Sequence, residues 1–414
     1  MKVLAYTSPA RGHLYPVAPI MAALAARGHR ALLCGLSGEL EHLPALGIEG
    51  RAIDPQVERN QLVDWRERST QRAMLSALKT FAERAERDGE DLLRLLAAHE
   101  PDVLVIDVNC WGAAAVAEAS GLPWAMFCPY LMPTRSRDAP PFGLGLAPMG
   151  GPLGAARDAI VRGVGERLTD RAAMGPVNAM RVRYGLGALK HYADLLSPPP
   201  LVLGLTAEGF EYPRSDWPAN VRLVGPTSWA PEQPTPAWLK ELEDPLVLVT
   251  CSTEHQRDKR LIHVALEGLP AAGMAVIATT AAHDPEQFNA PAGSTAVRFL
   301  AHEEVLRRAA CVVCHGGMGI TQKALGAGVP VVVVPFARDQ FETARRVEHA
   351  RAGVRLMPRR LTPQRLAQAV RRAMGMRAGA ERVSEAYAAA GGAAAAADAI
   401  EALAAGAQAA TGNS

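Results

Sequence analysis

The chain is 414 residues long, 49% hydrophobic and 21% charged, with a formal net charge of +2 at pH 7. That length exceeds one ordinary core, so two domains are expected of a globular chain of ordinary composition. The near-neutral charge gives no support for nucleic-acid binding or attachment to anionic membranes, and aromatic residues at 5% leave no stacking surface for single strands.

In chain order, a strand over 3–7 opens the sequence with no signal-peptide pattern ahead of it. A helix follows, with Val17, Ile20, Met21 and Leu24 at the spacing of one buried face and Gly28 closing it. Strands are expected at 31–36, 102–107 and 123–128, with helices at 89–99 and 112–120. Residues 55–87 are polar and helical in their later part, and 129–152 form a loop rich in Pro, Gly and Met. Both segments are expected to shape an apolar pocket, the second as far as Gly165. Prolines crowd 197–245, which reads as a partly extended linker with the domain boundary at 226–243.

Beyond it the alternation restarts, with strands at 246–250, 275–279, 296–300, 311–314 and 331–335 and helices at 258–269, 303–309, 320–327 and 341–352. Thr362 caps a further helix with Pro363 at its first position. The alanine-rich tail is expected to be a helix packing back across the first domain. The fold class is therefore α/β: two Rossmann-like, doubly wound parallel-sheet domains facing across a cleft. Their extents are 1–225 and 245–385, with a linker at 226–244 and the tail at 386–414. No apolar run long enough to span a membrane is evident. The six cysteines lie mostly in apolar segments, so the chain reads as cytoplasmic and reduced.

The most telling stretch is His315-Gly316-Gly317-Met318-Gly319, where a hydrophobic strand turns into a helix. Glycines there admit a ligand close to the backbone, and a helix start offers unpaired N–H groups and partial positive charge. A phosphate or diphosphate suits such a site. Asp339-Gln340, after the next apolar strand, offers polar groups suited to sugar hydroxyls, so a nucleotide-sugar site is expected. Cys311 to His315 also matches the spacing for c-type haem attachment, but Val312-Val313 belong to a buried strand, which argues against haem. His13, between the first strand and helix, sits at the carboxyl edge of the first sheet with a pKa suited to a general base. Asp107 ends another strand at the same edge and could orient it.

With Arg11-Gly12-His13, Val105-Ile106-Asp107, Val224-Gly225-Pro226 and the run from Cys314 through Gly353, the chain resembles the GT-B glycosyltransferases. Within them it looks like the family-1 enzymes of actinobacterial natural-product pathways. The resemblance implies an inverting transfer with His13 as base and Asp107 as its partner, and it sets Gly12 against the donor. It also implies that the N–H groups of Gly317, Met318, Gly319 and Ile320 hold a diphosphate contacted by His315 and Gly316. Ser252 and Thr253 would add hydroxyls near the phosphates, Phe299 and Leu300 would meet the nucleobase, and Asp339 and Gln340 would read the sugar. Plant members carry a glutamate where this chain has Lys323, which cannot accept ribose hydrogen bonds; that shifts the expected donor toward thymidine diphosphate. No Asp-x-Asp occurs, so neither metal nor cofactor is expected beyond the nucleotide-diphosphate sugar as co-substrate. The partners implied are that sugar and a hydrophobic small-molecule acceptor, without nucleic acid or membrane insertion, in a monomer or homodimer. The alternatives are a nucleotide-sugar 2-epimerase of the same plan and a non-catalytic auxiliary homologue.

Overall fold

The computed structural model describes every residue except 68, 232, 233, 255, 413 and 414. Seven strands form the first sheet: β1 Lys2–Tyr6, β2 Arg30–Gly35, β3 Glu49–Ala52, β4 Val103–Asp107, β5 Trp124–Cys128, β6 Leu201–Gly204 and β7 Val221–Leu223. Six form the second: β8 Leu246–Thr250, β9 Ala275–Thr279, β10 Ser294–Val297, β11 Ala309–Cys314, β12 Val331–Val333 and β13 Gly353–Arg355. Every pairing between them is parallel, in the orders β3-β2-β1-β4-β5-β6-β7 and β10-β9-β8-β11-β12-β13. Both sheets are buried on both faces. Val3 and Ala5 enter one apolar cluster and Leu4 and Tyr6 the opposite one, and Leu246 and Leu248 alternate likewise with Val247 and Val249. Strand order reverses between β1 and β4 and again between β8 and β11, and in such sheets ligands bind outside the carboxyl ends at those points.

The helices are α1 Arg11–Ala26, α2 Pro55–Arg59, α3 Thr70–His99, α4 Trp111–Ala119, α5 Gly151–Arg183, α6 Lys259–Gly268, α7 His302–Arg308, α8 Met318–Gly326, α9 Gln340–His349, α10 Pro363–Met374, α11 Arg377–Ala389 and α12 Gly392–Gly412. Several depart from the sequence expectation. The helix read at 89–99 is the last third of α3, whose 30 residues begin behind Ser69, an N-cap accepting from Arg72 N at 3.3 Å. The 33-residue α5 occupies a stretch in which no helix was foreseen, so 151–165 is helix rather than loop. The proline-rich stretch is not all linker, because β6 and β7 within it complete the first sheet. Its prolines flank these short strands instead of interrupting them.

Residues 377–407 pass, by length and composition alone, for a membrane-crossing helix, although charged residues such as Asp398 and Glu401 leave no uninterrupted apolar run there. Gly391 and Gly392, both at positive φ (86° and 57°), break this stretch into α11 and α12. The buried Ala380, Val383 and Tyr387 of α11 join the second domain's core, and α12 sets Ala396, Ala397, Ile400 and Ala404 into one cluster with Val17, Met21 and Leu24 of α1. Arg27 fixes the contact with ion pairs of 2.7 Å to Asp398 and Glu401.

The two halves meet over a continuous interface. Leu131, Ala207 and Phe210 from the first half lie in the second half's apolar core. Buried Arg346 of α9 bridges Glu211 (2.7 Å) and Glu342 (2.7 Å) and stacks over Tyr212 at 4.3 Å. Glu342 also accepts from Gly143 N (2.8 Å) and Gly145 N (2.7 Å), which docks the 129–150 loop on α9.

Candidate active site

On the first sheet, β1 and β4 are neighbours, so the residues just beyond their carboxyl ends converge. Ala10 is the extended N-cap of α1, and Gly12 and His13 fall in its first turn. Gly12 is exposed, with nothing within 4 Å of where a Cβ would stand. Asp107 closes β4 with its side chain fully buried. Its Oδ2 accepts from Ser8 N and Ser8 Oγ, both at 2.9 Å, and its Oδ1 from Asn109 N at 2.9 Å. His13 Nδ1 stands 2.8 Å from Asp107 Oδ2, within ion-pair distance though not in hydrogen-bond alignment. On the other side of the ring, Asn109 Nδ2 lies 3.4 Å from His13 Nε2, and Tyr130 OH donates to Asn109 Oδ1 at 3.0 Å. With its carbonyl taken by Tyr130, Asn109 presents its NH2 to the ring, which assigns the lone pair to Nε2 and the proton to Nδ1.

Burial disfavours the imidazolium, but the Asp107 charge outweighs it, with Glu254 and Asp339 adding from the second domain; the His13 pKa is raised above 6.5. For Asp107, burial favours the neutral acid, yet His13 and the two backbone N–H groups win and hold its pKa below 3.8. The dyad is therefore a histidine whose charged form is favoured beside a carboxylate kept ionised.

On the second sheet, β8 and β11 are neighbours and end at Thr250 and Cys314. Gly316 has φ +99°, and a Cβ there would meet Val333 Cγ1 at 2.7 Å. Gly317 is the N-cap of α8 with no side-chain cap, so the first N–H groups of the helix, at Gly317, Met318, Gly319 and Ile320, have no acceptor within it. A Cβ on Gly317 would lie 2.5 Å from His315 Nε2, so only glycine lets the ring lie against the helix start. Gly319 is exposed onto open space. His315 is buried, and its Nδ1 has no hydrogen-bond partner among the described residues. Burial, with the charge of Arg338, holds its pKa below 6.5, so the ring is neutral near pH 7.

Other expected residues divide. Ser252 N donates to Asp258 Oδ2 at 2.7 Å and Ser252 Oγ accepts from Glu254 N at 3.2 Å, while Thr253 is exposed beside it. Phe299 is an exposed apolar ring, whereas the Leu300 side chain is in the core and offers a ligand only its backbone. Asp339 stands near enough to His13 for each to act on the other's titration, and burial raises its pKa above 3.8. Gln340 is buried with its amide occupied: Oε1 accepts from Phe336 N (2.8 Å) and Ala337 N (3.0 Å), and Nε2 donates to Gln256 Oε1 (2.6 Å). Lys323 pairs with Glu303 at 3.2 Å. Cys251, Asp258 and His283 bring ligand atoms within 4.8 Å of one another, but the Asp258 carboxylate already serves Ser252 N and, at 3.0 Å, His283 Nε2.

Residues 265–403 match the family of the C-terminal domain of erythromycin biosynthesis protein CIII-like proteins. Over 97% of its length the chain is 33% identical to 4'-demethylrebeccamycin synthase of Lentzea aerocolonigenes, covering 99% of that protein. The chain belongs to the GT-B natural-product glycosyltransferases. Solved structures agree on the fold. The glycotransferase of kitacinnamycin superposes with a TM-score of 0.74 at 22% identity, covering 97% of this chain and 98% of that one. The glycosyltransferase VinC, in complex with DTDP, gives 0.71 at 21% identity, covering 98% and 99%.

Four groups at the candidate site were given no role in the sequence reading. Asn109 and Tyr130 flank the His13 ring, and Asp64 and Arg338 join the two domains at the cleft. Asn109, two residues past the strand-ending Asp107, had a local signal in the Asx turn that such a spacing forms. Arg338 lay inside the run that carries the resemblance, and Asp64 and Tyr130 had no local signal.

Proposed function

We propose that the protein is an inverting, metal-independent transferase that moves a sugar from a thymidine or uridine diphosphate donor to a hydroxyl of a hydrophobic small molecule. The His13 arrangement carries the reading, with one ring nitrogen against buried Asp107 and the other, Nε2, bearing the lone pair that can take a proton once the acceptor hydroxyl displaces the 3.4 Å Asn109 contact. Nε2 takes the acceptor's hydroxyl proton as that oxygen bonds to the anomeric carbon, while the bond from that carbon to the diphosphate breaks. Attack opposite the leaving group inverts the centre. The proton rests on His13, where Asp107 stabilises the imidazolium, and then passes to solvent.

Negative charge grows on the departing diphosphate, which the uncapped start of α8 and a neutral His315 with an unpartnered Nδ1 are suited to receive without a metal ion. Lys323, a group that accepts no hydrogen bond, favours a thymidine donor, as does the DTDP held by the structural relative. An apolar acceptor is favoured by the aromatic cluster at the start of α4, four residues past Asp107, where Trp111 packs edge-on to Phe81 (5.8 Å) and Tyr192 (5.7 Å). A relative named for rebeccamycin synthesis supports a natural product in that role. His13→Ala tests the reading: sugar transfer is lost and nucleotide-sugar binding stays.

A further inference from the structure

Arg338 is the residue before Asp339, and it has the left-handed φ of +54° that a side chain bearing a Cβ adopts only under constraint. The constraint is visible. Its Nε and Nη2 donate to the two carboxylate oxygens of Asp64 at 2.7 Å each, and its Nη1 donates to Glu254 at 2.6 Å. Asp64 is buried and belongs to the first domain, 274 residues away in sequence. The segment that carries it, residues 60–66 with the short turn Asp64–Arg66, is held at both ends. Arg84 of α3 donates its Nε to Asn60 O at 2.7 Å, and Arg257 of the second domain donates to Arg66 O at 3.0 Å. A forked guanidinium–carboxylate pair fixes orientation as well as distance.

We propose that Asp64, although in the acceptor-side domain, is a positioning residue for the donor sugar, acting through Arg338 on Asp339. The inference rests on the donor reading given above. Asp64 pins the guanidinium, the guanidinium holds residue 338 in its left-handed conformation, and that conformation sets the backbone from which Asp339, the N-cap of α9 whose charge reaches His13, projects. The diphosphate site at the start of α8 lies on a different loop, and Asp64→Asn leaves in place the Arg338 charge that reaches His315 there. Loss of the clamp therefore weakens binding of the sugar and spares binding of the nucleotide. Coupling between the domains also follows: the sugar is read fully only when the 60–66 turn is seated.

The experiment is calorimetric titration of the full chain with TDP, UDP and their glucose conjugates, with thermal melts to confirm folding. Asp64→Asn is expected to bind the favoured nucleotide sugar at least tenfold more weakly and the bare nucleotide within twofold of wild type. Arg338→Ala should lose the nucleotide sugar to the same extent, but the twofold limit on bare nucleotide does not apply to it, because the Arg338 charge acts on His315. Arg338→Gly should recover binding to within about threefold, because glycine takes a positive φ without help, and adding Asp64→Asn to it should change nothing more. Unchanged or tighter sugar binding in Asp64→Asn overturns the proposal, as does a further loss in the Arg338→Gly background or an equal loss for bare nucleotide. If the wild-type protein binds none of the four, the donor reading fails and this inference falls with it. If it binds and Asp64→Asn is indistinguishable, only this inference fails.

Discussion

Replacing Asp107 by Asn removes one charge at nearly constant volume from beneath the base. The amide oxygen can take the place of Oδ2 and still accept from Ser8 N, which leaves the NH2 group facing the Asn109 N–H. One donor then meets another, and an orphaned buried donor costs about 1–3 kcal/mol of stability. His13 keeps a neutral acceptor near Nδ1 and so keeps its place, but it loses the carboxylate that overcomes burial. Its pKa should drop from above 6.5 to below it. A positioned base is worth about 100- to 10,000-fold in rate, or roughly 3–5 kcal/mol. Because geometry survives here and only charge is lost, the fall in kcat should lie near the lower end, about 100-fold. The direct assay is a pH titration of the His13 Cε1–H signal by NMR in both proteins, alongside the pH profile of kcat/KM. The neutral base works above its pKa, so the acidic limb should move to lower pH in the variant. An unmoved His13 midpoint would refute the dyad.

Two further outcomes follow from contacts at the donor loop and the interface. In Gly317→Ala the new methyl carbon would sit 2.5 Å from His315 Nε2, so the ring must leave the helix start; nucleoside diphosphate affinity should fall at least tenfold by calorimetry, and unchanged affinity would remove His315 from the site. In Glu211→Gln, buried Arg346 keeps only Glu342 as a charged partner at the domain interface, and the loss should be about 3–5 kcal/mol in urea unfolding. A loss below about 1 kcal/mol would mean the apolar contacts alone hold the domains together.

Much of this architecture was readable from local pattern. The buried central strands carry unbroken apolar runs such as 246–250 and 311–314, and the glycines after His315 are required by a positive φ at 316 and a close ring at 317. The long α5 was not readable, because Leu153, Ile160 and Val164 on its first half are exposed and give no single buried face, and Pro176 lies within it. Edge strands β3 and β13 are short and partly exposed, so they lack the apolar signature of their neighbours. Gln340 illustrates a different limit. Its place beside Asp339 suggested sugar contact, and only three dimensions show its amide also tying the 336–337 backbone to Gln256. The Asp64–Arg338 pair joins residues 274 apart, and no local periodicity encodes such a contact.

The claim on which the rest depends is that His13 takes the proton while the second domain holds the donor. Single-turnover transfer and donor titration on wild type and His13→Ala, from one preparation, test it together. A rate lower by about 100- to 10,000-fold with donor affinity within twofold of wild type is the predicted result. Transfer at the wild-type rate, or transfer and donor binding lost together, would contradict it.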